Sequence, residues 1–114
     1  MNTKRKISVI LGNLGNTCDR FCHSYKDSPS RYVMLKRAAA IPNVNGIELV
    51  GTWDINTKNV RTMRTMLGDL GLACVSIIPD LFADRLYWKG SYSSREPAIR
   101  RRAVKDTRTM CDIA

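Results

Sequence analysis

Glu48 is the residue whose position most directly indicates chemistry, because it is a single carboxylate inside the apolar run from Ile47 to Val50. A buried parallel strand normally reads as a nearly continuous apolar stretch, so a carboxylate within one needs a hydrogen-bonding partner or a polar cavity. Two interpretations follow. Glu48 is a binding-site carboxylate, or it is a structural group that is hydrogen-bonded to a neighbouring strand or paired with a lysine.

His23, the only histidine, lies in a long loop-like stretch at 12–29 that is rich in glycine, asparagine and aspartate. Its imidazole could hydrogen-bond a ligand or move a proton near neutral pH, and a solvated surface histidine is the other interpretation. Cys18 and Cys22 precede it at short spacing, but no second Cys or His pair lies nearby to complete a zinc site. Asp80 follows a predicted strand, where either a catalytic or a turn-forming carboxylate fits.

Trp53 and Trp88 are candidates for the apolar walls of a ligand pocket, since an aromatic ring offers a flat surface with a polar edge. Packing of these rings against the core is the alternative. Lys89 could meet a phosphate or a carboxylate as a point charge, or it could be a solvated lysine.

Apolar and β-branched runs predict three strands that would position these residues, at 6–11, 46–50 and 72–78. Two long connections, 12–29 and 79–96, each follow a strand rather than a helix. In parallel α/β folds ligands bind at that end of the strands, so the long connections are predicted to form the binding edge.

Helical periodicity separates and follows the predicted strands. Ser30 is a suitable N-cap for a first helix that runs to about Ile41, with Tyr32, Leu35 and Ala39 on one face. Asn56 or Thr57 is a suitable N-cap for a second. Pro97 suits the first turn of a third helix. The predicted fold is α/β, with the order β-α-β-α-β-α and three parallel strands in one domain spanning 1–114.

The composition is that of a globular domain, with 44% hydrophobic and 25% charged residues among 114. The formal net charge of +9 favours acidic partners, although much of the excess lies on the last predicted helix, whose outer face would be solvated in any case. The apolar run at 7–11 is too short for a signal peptide, and no stretch is long enough to span a membrane. The four cysteines are expected to be reduced thiols in a cytoplasmic protein.

An ordered set of motifs resembles the xylose-isomerase-like family of sugar isomerases and epimerases, which are TIM barrels. The motifs are Gly46-Ile-Glu-Leu, Trp53, Gly71-Leu72, Pro79-Asp-Leu-Phe82, Trp88-Lys-Gly-Ser91 and the segment from Pro97 to Ala103. The resemblance covers nearly the whole chain and corresponds to the N-terminal third to half of such a barrel. Because the last helix is still periodic at Ala114 and two sheet edges would stay open, the chain is expected to be the first part of something larger.

The resemblance implies a partial (β/α)8 barrel that acts on a sugar or sugar phosphate by aldose–ketose isomerisation or by epimerisation. It implies a divalent metal, Mn, Mg, Co or Zn, held by carboxylates and a histidine that come mainly from later strands. This chain alone is therefore expected to hold no metal and to show no isomerase activity. The residues predicted to line the sugar pocket are His23, Glu48, Trp53, Trp88 and Lys89.

Two other classes of function stay open. The same barrel family includes endonucleases that act at abasic DNA sites, but Arg100, Arg101 and Arg108 are predicted to point away from the strand ends, which disfavours a nucleic-acid partner. The second alternative is a non-catalytic chain that forms a homo-oligomer through its open sheet edges.

Overall fold

A three-stranded parallel sheet forms the centre of the computed structural model, which describes residues 5–15 and 27–114. The strands are β1 (Ile7–Ile10), β2 (Val44–Val50) and β3 (Ala73–Ile78), in the order β1-β2-β3. The predicted strands and their parallel pairing are confirmed. β2 begins earlier than predicted because Val44 already pairs with Ile7.

Three helices complete the predicted alternation: α1 (Arg31–Ala39), α2 (Val60–Asp69) and α3 (Pro97–Ile113). Two short 3-10 helices, Leu11–Leu14 and Arg85–Tyr87, follow β1 and β3. The observed class is therefore α/β with an open parallel sheet.

The local signals at the helix ends are mostly as predicted. Ser30 caps α1, since its Oγ accepts a hydrogen bond from the Val33 N–H. Gly71 has a φ of +66° at the point where the chain leaves α2. Asn56 is not the cap of α2: its side chain instead accepts hydrogen bonds from the N–H groups of Lys58 and Asn59, which fold a turn before the helix begins.

The hydrophobic core lies between the helices and one face of the sheet. On β2, Ile47 and Leu49 are fully buried in it, and Ile113 of α3 packs against the same cluster. Of the residues predicted to share one face of α1, Leu35 is fully buried, whereas Tyr32 is 46% exposed because α1 packs on the sheet through the adjacent ridge. The helical residues that contribute to the cluster are Met34, Leu35 and Ala38 from α1 with Met63 and Leu67 from α2.

Strand alternation, interrupted in β3 by a register shift after Cys74, places the polar strand residues on the opposite face of the sheet. This surface, called the open face below, carries Ser8, Gly46, Glu48, Val75 and Ser76. Val75 is 54% exposed, and Ser8 and Glu48 are half-buried. Among residues 5–15 and 27–114, no helix is long and apolar enough to cross a membrane.

Candidate functional site

Glu48 lies on the open face near the carboxyl end of β2, two residues before the strand ends. Its Oε1 accepts a hydrogen bond of 3.0 Å from Ser8 Oγ on β1. Gly46 makes this approach possible, since a Cβ at that position would lie 2.9 Å from both Ser8 Cβ and Val75 Cγ1. The structural interpretation of Glu48 required a hydrogen bond from a neighbouring strand, and Ser8 provides it. The carboxylate is only half-buried, so its remaining lone pairs can still accept hydrogen bonds from a ligand.

Trp53 lies in the loop after β2 and contacts the loop after β3. Its ring and that of Phe82 are 5.3 Å apart between centroids and inclined at 69°, an edge-to-face pair. The indole Nε1 is buried, and it has no hydrogen-bond partner in the described part of the chain. The Arg31 guanidinium donates through Nε and NH2 to the Trp53 carbonyl, at 2.9 and 2.6 Å, which fixes the backbone of this loop against the start of α1.

Asp54 holds the turn that carries Trp53. It is 2% exposed, and its Oδ2 accepts a 2.8 Å hydrogen bond from the Val50 N–H. Burial raises the pKa of the Asp54 carboxyl, while the Val50 N–H and the charge of Arg31 act in the opposite direction. Asp54 is therefore a positioning residue for the loop after β2.

Trp88 and Lys89 form a separate contact of their own. Lys89 Nζ lies 4.8 Å from the centroid of the Trp88 ring, within the range of a cation–π interaction. Trp88 is 61% exposed, so core packing does not account for it. Phe82, rather than Trp88, is the aromatic partner of Trp53.

Asp80 has the turn-forming role that was one of its two interpretations, since its Oδ1 accepts a hydrogen bond from the Ala83 N–H. It also lines a cavity of about 170 Å³ between the loop after β3 and α3. In this cavity Tyr87 donates a 2.7 Å hydrogen bond to Asp106, which also pairs with Arg102 at 2.8 Å. These contacts tie the loop after β3 to α3.

Three of the basic residues of α3 lie on the outer side of the helix. Arg101, Lys105 and Arg108 are exposed on the outer side of the helix, opposite the buried Ala103 and Met110. The predicted outward placement is therefore observed for Arg101 and Arg108, whereas Arg100 donates through NH1 to the carbonyls of Ser94 and Arg95 in the loop after β3.

The described residues do not make a complete metal site. Within 5–15 and 27–114, no group of three or more His, Cys, Asp or Glu side chains is placed to hold an ion. Glu48 could supply one oxygen ligand, which is fewer than hard divalent cations need. His23, Cys18 and Cys22 lie outside the described residues, so the pocket role predicted for His23 and the spacing of the two cysteines stay untested.

Several residues that contact or lie beside the predicted site residues were not predicted as part of the site: Ser8, Arg31, Asp54, Ser76 and Phe82. A signal existed for Ser8 and Ser76, because each is a polar residue inside an apolar strand, as Glu48 is. Phe82 stood out as an aromatic residue of the motif Pro79-Asp-Leu-Phe82, although its contact with Trp53 was not predicted. Arg31 and Asp54 gave no such signal, since each is of an ordinary type for the helix start or loop in which it lies.

Comparisons with known proteins leave the function to be argued from this geometry: no protein-family model matches the chain, and no curated protein sequence matches it significantly.

Proposed function

We propose that this chain belongs to a sugar isomerase or epimerase barrel, in which it contributes one wall of the pocket for a sugar or sugar phosphate. The observation that carries the proposal is the position of Glu48. It is a half-buried carboxylate on the face of the sheet opposite the helices, near the carboxyl ends of parallel strands. Ligands of parallel α/β folds bind at this end.

The chemistry of the open face supports a polyhydroxylated ligand. A carboxylate accepts hydrogen bonds only, and a sugar hydroxyl can donate to the Glu48 oxygens that Ser8 leaves free. The edge-to-face pair of Trp53 and Phe82 supplies a flat apolar surface beside the strand ends. Apolar walls with a few fixed polar groups are the usual composition of small-molecule pockets.

In this proposal the remaining predicted pocket residues act from the loops. Trp88 is a second ring against the sugar, and Lys89 meets the phosphate when the ligand carries one. His23 hydrogen-bonds a ligand hydroxyl. A divalent metal would need more ligands than Glu48, the one candidate ligand that the described residues place on the open face. The compartment proposed is the cytoplasm, in keeping with the free thiols of Cys74 and Cys111.

The two alternatives have weaker support. An endonuclease would need a cluster of cations near the strand ends. Arg31 at the start of α1 and Lys89 in the loop after β3 lie there, but Arg31 is hydrogen-bonded to the Trp53 carbonyl. The basic side chains Arg101, Lys105 and Arg108 are exposed on the outer side of α3. Self-association is favoured by the edges of β1 and β3, each paired on one side only within the described sheet. Sedimentation velocity distinguishes self-association from the proposed sugar-binding role, since a non-catalytic assembly would be a stable oligomer at every accessible concentration.

Ligand binding by the 114-residue chain tests the proposal. Titration of the isotopically labelled protein with D-xylose, D-fructose and D-fructose 6-phosphate, followed by amide NMR, is expected to give saturable shifts along β2 and in the loop after it. Glu48→Gln should weaken binding about tenfold, since hydrogen bonds to a charged group contribute roughly 1.5–3 kcal/mol. Glu96→Gln, at an exposed carboxylate before α3, is the matched control and should bind as the wild type does.

Absence of saturable shifts with all three sugars would overturn the proposal, as would equal binding by the Glu48→Gln and wild-type chains. Aldose–ketose interconversion by the chain with added Mn²⁺, Mg²⁺, Co²⁺ or Zn²⁺ is expected to be undetectable. Turnover that Glu48→Gln abolishes would show instead that these residues are sufficient for catalysis.

A further inference from the structure

A change of register between β2 and β3 selects the residue that lies beside Glu48. Ile47 pairs with Cys74, so an unbroken parallel register would bring Val75 opposite Glu48. The register shifts at this step, and Ser76 pairs with Glu48 instead. Such irregularities are rare in parallel pairs and often re-aim a side chain next to a functional site. Here the shift replaces an apolar neighbour of the carboxylate by a hydroxyl.

The Ser76 Oγ is buried, and no residue in the ranges 5–15 and 27–114 forms a hydrogen bond with it. Leaving a buried polar group unpaired costs about 1–3 kcal/mol, so an orphaned hydroxyl calls for an explanation. Ser8, on the other side of Glu48, differs in this respect because its hydroxyl donates to the carboxylate. The two serines flank the Glu48 carboxylate from neighbouring strands. Ser8 donates its hydrogen bond within the sheet, so the Ser76 hydroxyl is the one available to a ligand.

We infer that Ser76 is a ligand-binding residue of the proposed sugar site, where it and Glu48 hold one hydroxyl of the ligand. The inference rests on the proposed function and adds to it the chemical group recognised. A sugar hydroxyl donates to Glu48, which can only accept, and accepts from the Ser76 hydroxyl, which can donate. Neither an anion nor a cation meets both requirements. Because Ser76 as a residue is only half-buried, rotation about χ1 between staggered positions lets Oγ reach the ligand.

The test compares ligand affinity and thermal stability in the same variant. In Ser76→Ala the orphaned hydroxyl is gone, so the melting temperature should be equal to or higher than that of the wild type. Affinity for the sugar that binds the wild type should fall roughly threefold to tenfold, the effect of one neutral hydrogen bond. Ser76→Thr keeps a hydroxyl on a residue suited to a strand and should restore most of the affinity. Thr62→Ala, which removes an exposed hydroxyl on α2, is the control.

The outcomes separate this inference from the proposed function. If Glu48→Gln weakens binding and Ser76→Ala does not, the role of Ser76 is wrong and the sugar site stands. If Ser76→Ala loses both affinity and melting temperature, the hydroxyl has a structural partner and the inference is overturned. If the wild-type chain binds none of the sugars, the proposed function fails and the inference fails with it.

Discussion

Ser8 on β1 donates a 3.0 Å hydrogen bond to Glu48 on β2, and the two residues are 40 positions apart in the sequence. The contact lies on the open face of the sheet beside Gly46, which has no side chain to come between Ser8 and Glu48. The Glu48 carboxylate is the main polar group of that face. The hydrogen bond from Ser8 helps to fix its orientation.

Replacement of Ser8 by alanine should lower the free energy of unfolding by about 1 kcal/mol, because Glu48 loses a hydrogen-bond donor. The loss is modest because Glu48 is only half-buried, and water can partly take the place of the lost hydroxyl. Urea unfolding measures the change. Ser93→Ala, at an exposed serine in the loop before α3, should change the same quantity by less than about 0.5 kcal/mol. Equal stability of the Ser8→Ala and wild-type proteins would mean that the hydrogen bond contributes nothing to folding.

Gly46→Ala should destabilise the protein by about 1–3 kcal/mol, because the added Cβ would lie 2.9 Å from Ser8 Cβ and from Val75 Cγ1. The matched control is Gly68→Ala on α2, where a Cβ meets no atom of the described residues within 4 Å. That change should stabilise by roughly 0.5–1 kcal/mol through helix propensity. Chemical denaturation of both variants tests the contrast, and similar effects of the same sign would contradict the close packing at Gly46.

Asp54→Asn should alter how stability depends on pH. Because burial raises the folded-state pKa of Asp54 above its ordinary value of 3.8, its contribution is fully present below that value and is lost as the pH rises through the folded-state pKa. The stability of the wild type relative to Asp54→Asn should therefore decline as the pH rises from about 3 towards neutrality. Denaturant unfolding of both proteins across this range measures the difference, and a constant difference would contradict it.

Tyr87→Phe should cost about 1–2 kcal/mol at neutral pH, since it removes the hydrogen bond to Asp106 in the contact between the loop after β3 and α3. Burial, the hydrogen bond to Asp106 and that residue's charge raise the pKa of Tyr87. Its stabilisation is therefore present below the unfolded-state pKa of about 10 and is lost at higher pH.

Thermal unfolding at neutral and alkaline pH should thus show the gap between the Tyr87→Phe and wild-type proteins closing above pH of about 10. Tyr92→Phe is the control, because Tyr92 is 50% exposed and its hydroxyl contacts Thr107 rather than a carboxylate. A gap that persisted at alkaline pH would show that ring packing, and not the hydroxyl, accounts for the loss.

The two tryptophans should separate binding from folding. Trp88→Ala is expected to change the free energy of unfolding by less than about 1 kcal/mol, because the ring is 61% exposed and contacts Lys89. Trp53→Ala should cost about 3 kcal/mol, since it removes a half-buried ring packed on Phe82. If Trp88 is a wall of the sugar site, the Trp88→Ala protein should bind sugar more weakly than the wild type at almost unchanged stability. Equal sugar affinity of the two proteins would show that Trp88 is not part of the site.

The sequence by itself determined the secondary structure and the sheet that it forms. Ser30, Gly71 and Pro97 mark helix ends through interactions with residues a few positions away, and these local effects act in any context. The three apolar strands alternate with helices along the chain. Such an alternating order predicts a parallel sheet, in which the apolar strands are buried against the helices. Glu48 stood out because its type conflicts with its strand.

Tertiary structure alone decided which residues surround Glu48 and Trp53. Ser76 lies beside Glu48 only because the register shifts between β2 and β3, and Phe82, not Trp88, packs on Trp53 because of the path of the loop after β3. The burial of Asp54 likewise follows from how its turn packs. Each of these features depends on pairing register and on contacts between distant segments, which packing of the whole chain sets and local residue preferences do not encode.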